Sequence, residues 1–91
     1  MNLHQLADEL LEIRRYVRDQ PKDAAQAAYQ INVCARCRDH ESVSEDQAIR
    51  WHHNICFGAA RAHCNPEVLR GYLYGAAQEI RELAMKQEAG E

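Results

Sequence analysis

Leu3, Leu6, Leu10, Ile13 and Val17 recur at alternating spacings of three and four residues, the period at which one stripe of an α-helix faces a core. The pattern predicts a helix over residues 3–19. Pro21 ends it and suits the first turn of the next helix, where a missing N–H is not needed. The second stripe is built from small residues, Ala24, Ala27, Ala28, Ile31, Cys34 and Ala35, and predicts a helix over 21–38 that a neighbour can approach closely. Residues 39–43 read as a loop. Ser44 and Gln47 have the spacing of a capping box, and Val43 and Ala48 that of a hydrophobic staple, so a third helix is expected over 44–64. Asn65, Pro66 and Glu67 supply an N-cap, a first-turn proline and an acidic first turn to a fourth. Its stripe is Leu69, Leu73, Ala76, Ile80 and Leu83; it is expected over 66–85, with a frayed acidic tail over 86–91. The alternating apolar runs and Asn-Gly turns that mark strands and hairpins do not occur in the sequence.

Four helices joined by short connections predict an all-α fold in one domain, residues 1–91: a compact four-helix up-and-down bundle, or two helical hairpins completed by dimerisation. A chain of 91 residues has a thin stability margin, which favours a homo-oligomer or a bound partner. Composition leaves this reading in place, because 46% hydrophobic and 27% charged residues are globular proportions. A formal net charge of −3 does not favour nucleic acid, whose binding needs a basic surface. No run approaches the roughly 20 apolar residues that span a bilayer. Asp8, Glu9 and Glu12 among the first leucines are foreign to a signal peptide. The expectation is a cytoplasmic protein without a membrane partner, in which cysteines are reduced thiols or metal ligands.

Candidate chemistry is concentrated between Cys34 and Cys64, which bracket all four cysteines and four of the five histidines. Cys34 and Cys37 form a CxxC. With His40 or His52 they could supply thiolate and imidazole ligands to a zinc ion, which takes both in a tetrahedral shell. Gln30-Ile-Asn-Val-Cys34-Ala-Arg-Cys37 resembles the HxxxCxxC signature of zinc-containing anti-sigma factors over these eight residues, but Gln30 stands in the histidine's place and membership does not follow. A helical hairpin also spreads the ligands: at a rise of about 1.5 Å per residue, Cys56 lies roughly 18 Å from the loop end that holds Cys37. The competing expectation is that Cys34, Cys37 and Cys56 are small core residues.

On the third helix, about 100° per residue puts Arg50, His53, Asn54, Phe57 and Arg61 away from the expected core. An aromatic side chain flanked by arginines is the composition of an interface hot spot. On the fourth, Arg70, Tyr74, Arg81 and Met85 fall outside the stripe, as do Gly71 and Gly75, each costing about 1 kcal/mol in a helix relative to alanine. The sequence contains no phosphate-cradling glycine loop, GxSxG or HExxH. The expectation is a small non-catalytic binding protein, an inhibitor or regulator of another protein or macromolecular complex. Its size and lack of catalytic motifs suit a phage or mobile element. The site residues expected are Arg50, His53, Asn54, Phe57, Arg61, Arg70 and Tyr74. Two alternatives stand beside it: a zinc-binding or metal-sensing domain built on Cys34, Cys37, His40 and His52, and an oligomer that binds a small anionic ligand such as a nucleotide through arginines, histidines and aromatics.

Overall fold

The computed structural model describes residues 2–38 and 40–89, and the fold is all-α. The helices are α1 (Leu3–Tyr16), α2 (Pro21–Ile31), α3 (Val33–Cys37), α4 (Glu45–Arg61) and α5 (Pro66–Ala89). The Asn2 side chain caps α1 by accepting from the Gln5 N–H at 2.7 Å. The Leu3, Leu6, Leu10, Ile13 and Val17 stripe is buried as expected, and so is Ala7. Ser44 Oγ accepts from the Gln47 N–H at 3.2 Å, and the staple pair Val43 and Ala48 is buried. α1 packs along α5, α5 along α4, α4 against α2 and α3, and α2 against α1. The core they share is made of leucine, isoleucine, valine and alanine, with Trp51 and Cys37. Among the described residues no helix is long and apolar enough to cross a membrane.

The expected helix over 21–38 is interrupted at Asn32, which takes the left-handed conformation (φ 47°, ψ 70°). Asparagine enters this region more readily than other residues with a Cβ. Its side chain also restores what the break removes: Oδ1 accepts from the Ala35 N–H at 3.2 Å, so Asn32 ends α2 and caps α3. The break lets both Ala28 and Val33 bury. Asn32→Ala should cost about 1–2 kcal/mol, from the lost cap and the strain of a Cβ at positive φ. Asn32→Gly, which loses the cap and relieves the strain, should cost only a few tenths. Urea denaturation of both variants checks the order; equal costs would mean that the backbone conformation contributes nothing.

Three other boundaries shift. α1 ends at Tyr16 and continues as a turn over 17–19, closed by Gln20 N–H donating to Tyr16 O at 2.8 Å. α4 ends at Arg61, whose carbonyl accepts from the Asn65 N–H at 2.7 Å. The expected tail is helical up to Ala89, with residues 90–91 outside the described ones. Its last turns are held by Ala84 in the core and by Glu88, 3.0 Å from His4 Nε2 on α1.

One close approach organises α4 against α5. A Cβ on Gly58 would stand 2.7 Å from the Leu69 Cα, closer than atoms can sit. Gly71 and Gly75, the glycines that the sequence places off the stripe, have open space where a Cβ would go. Among the described glycines, the one at a helix contact is therefore Gly58.

Candidate functional site

α4 and α5 present a common outer face. On α4, Phe57 is 46% exposed. The Arg61 guanidinium lies over its ring, 3.6 Å from the centroid, and donates to the Phe57 carbonyl at 3.2 Å. The ring meets Tyr72 of α5 edge-to-face, with centroids 6.2 Å apart. Trp51, below them in the core, donates through Nε1 to Glu79 Oε2 at 2.7 Å. Between these contacts runs a shallow groove of about 210 Å³, lined by Trp51, Asn54, Gly71, Tyr72, Gly75 and Glu79. Arg50, His53 and Glu82 are exposed, and among the described residues none of the three has a hydrogen-bond or ion-pair partner.

Arg50, His53, Asn54, Phe57 and Arg61 thus share one region, as the wheel places them. Arg70 and Tyr74 belong elsewhere. Arg70 donates to the Arg14 carbonyl at 3.0 Å and to Glu67 at 3.0 Å, and only 17% of its side chain is exposed. It satisfies a carbonyl at the end of α1, which has no acceptor role left inside the helix. In the structure Arg70 fastens the end of α1 to α5. Tyr74 is 47% exposed but lies under Arg14, whose guanidinium carbon is 5.1 Å from its ring centroid, and its hydroxyl accepts from Gln78 at 2.6 Å. Glu67 also binds Arg18, whose hydrogen bonds hold its carboxyl below the usual range. A lowered carboxyl stabilises the fold above the ordinary carboxylate pKa, and that contribution fades as pH falls through the lowered value.

Tyr72 and Glu82, which the sequence reading did not single out, complete the outer face with Gly71 and Gly75, which it placed off the stripe. The signal for Tyr72 was present, since residues two apart on a helix point to nearly opposite sides; Tyr72 and Tyr74 therefore serve different neighbours.

The alternative zinc set, Cys34, Cys37, His40 and His52, does not come together as one cluster. Among the described residues, no three of His, Cys, Asp or Glu stand close enough together to hold a metal ion. Cys37 is buried, and burial, followed by the charge of Cys34, pushes its thiol pKa up. His52 Nε2 lies 3.6 Å from the Cys56 Sγ, one turn along α4. Burial raises the Cys56 thiol too. The His40 N–H donates to the Cys37 carbonyl at 3.1 Å, closing the turn after α3. Cys34 is half-buried beside a depression of about 320 Å³ that it shares with Cys37, Arg38, Ser44 and Glu45. These are one-sided contacts rather than a coordination shell.

Comparison of the chain with protein-family models, with curated proteins and with solved structures gives no significant match.

Proposed function

We propose that this chain is a small non-catalytic helical binding protein, an inhibitor or regulator that acts by docking the outer face of α4 and α5 on another protein. The supporting observation is Phe57, nearly half exposed with Arg61 stacked on it and Tyr72 against its edge. Exposed aromatic area, already ordered by its neighbours, binds at little entropic cost. Tyrosine, phenylalanine and arginine are also the residues that interfaces favour. The four main helices would form an up-and-down bundle whose interior serves packing and whose α4–α5 edge serves recognition.

The test uses wild-type protein, Phe57→Asp and Tyr74→Asp as affinity baits under one condition. A partner held by wild type should be lost by Phe57→Asp, with affinity down on the order of 100-fold, the range of a hot-spot residue. Tyr74→Asp, on the α1 side of α5, should retain it. If both variants keep every partner and the oligomeric state of wild type, this face has no such role.

A further inference from the structure

The outer face carries its own electrostatic complement. Three contacts set the register of α4 against α5: Trp51 with Glu79, Phe57 with Tyr72, and Gly58 with Leu69. The helices therefore run antiparallel, with Phe57 level with Gly71 and Tyr72, and Arg50 level with Gln78 and Glu79. On the outward side, α4 presents Asp46, Arg50, His53 and Phe57, while α5 presents Gly71, Gly75, Gln78, Glu82 and Lys86, with Glu79 at its edge; all are exposed. The middle of α4's strip is basic and the matching part of α5's is acidic. Among the described residues the ion pairs lie mainly on α1 and its neighbours, Asp8 with Arg81, Glu9 with Arg36 and Arg18 with Glu67. They leave Arg50, His53 and Glu82 unused.

Two such faces can meet about a two-fold axis in two ways. An axis across the helices, centred on the strip, sets α4 on the partner's α4 with Arg50 and His53 against the same two residues of the partner. An axis parallel to the helices sets α4 on the partner's α5 at the same level. Helical side chains lean toward their own N-terminus. In the antiparallel pair, residues of α4 and of the partner's α5 therefore lean toward each other by about a turn. Arg50 then meets the partner's Glu82, His53 the partner's Glu79, and Asp46 the partner's Lys86. Phe57 falls between the partner's Gly71 and Gly75, where an added Cβ would meet nothing within 4 Å.

We propose that a second copy of this chain occupies the outer face, in a two-fold dimer that sets α4 of each protomer on α5 of the other, with Arg50 paired to the partner's Glu82 and Phe57 seated over the partner's glycines. The dimer rests on the reading of this face as protein-binding. It names the first protein bound and gives glycines that cost helix stability a purpose. A two-fold interface uses each contact twice, so one substitution acts at two places.

Sedimentation equilibrium on wild type, Phe57→Asp, Arg50→Glu, Glu82→Arg and an equimolar mixture of the last two tests it, with circular dichroism to verify helix content. Wild type should be a dimer. Each single variant should associate on the order of 100-fold more weakly, because like charges face each other or an aspartate replaces the ring. The mixture should recover a dimer of near wild-type affinity, because Arg50→Glu meets Glu82→Arg at one contact and Arg50 meets Glu82 at the other. A wild-type monomer at high micromolar concentration overturns the dimer, as does a dimer indifferent to all three variants, or single variants weakened without recovery in the mixture. A wild-type monomer whose partner is lost with Phe57→Asp sinks the dimer and keeps the protein-binding reading. Recovery in the mixture, with Phe57→Asp capturing the same proteins as wild type, keeps the dimer and sinks docking on a different protein.

Discussion

Gly58→Ala should lower stability by about 2 kcal/mol and the thermal midpoint by about 10 °C. The new Cβ would sit 2.7 Å from the Leu69 Cα and 3.1 Å from the Leu69 backbone nitrogen. Backbone atoms cannot rotate aside as a side-chain tip can, so α4 and α5 must separate along their contact. Overpacking of this kind costs about 1–3 kcal/mol, more when backbone must move, and the better helix propensity of alanine returns about 1 kcal/mol. Gly71→Ala and Gly75→Ala carry only the favourable term, since nothing lies within 4 Å of either new Cβ. In dilute solution each should stabilise the chain by about 1 kcal/mol, while loosening the proposed dimer by filling the space beneath Phe57. Thermal unfolding followed by circular dichroism gives the signs. A Gly58→Ala protein as stable as wild type would mean that the two helices can part freely.

The three glycines also mark where sequence reasoning stops. A wheel gives the angle at which a residue leaves its helix, and it does not say which neighbour stands there. It therefore showed Gly71 and Gly75 off the stripe, yet gave no reason to separate Gly58 from an ordinary core position. The long stripes were legible because leucine and isoleucine at helical spacing have one stable arrangement, inward. Ser44 and Pro66 were legible because capping and proline chemistry are local. Asn32 was hidden for the opposite reason: the alanine-rich pattern continues through it, and its left-handed turn is worth adopting only once Ala28 and Val33 have a core to enter. For the face, the sequence placed Phe57, Arg61 and their α4 neighbours together. It gave no sign of the contact between Arg70 and the Arg14 carbonyl, because the two are 56 residues apart along the chain. The zinc set has a different explanation: cysteines and histidines can share a segment while helix geometry distributes them along an axis and around it.

Trp51→Ala should be the most damaging of these substitutions, at about 4 kcal/mol. The side chain is 2% exposed and stands where α4, α5 and the outer groove meet. Its removal leaves a void that helices pinned together at Gly58 cannot collapse to fill. A 91-residue chain has total stability of roughly 5–13 kcal/mol at about 0.05–0.15 kcal/mol per residue. The loss is therefore about a third of it or more. Packing and hydrogen bonding can be separated at this position. Trp51→Phe keeps most of the ring and removes the N–H; the Glu79 carboxylate left behind is on an exposed residue and turns to water, so the cost should be about 1–2 kcal/mol. Glu79→Ala keeps the ring and strands the indole N–H, for about 1 kcal/mol, because water entering the groove can accept from it. Urea denaturation followed by circular dichroism should rank Trp51→Ala well above Trp51→Phe, and Trp51→Phe at or above Glu79→Ala. Trp51 is the only tryptophan, so its fluorescence reports the groove directly and should shift to the red in Glu79→Ala as water reaches the indole. If Glu79→Ala cost as much as Trp51→Ala, the hydrogen bond rather than the buried ring would hold α4 to α5, and the groove would owe its shape to a surface carboxylate.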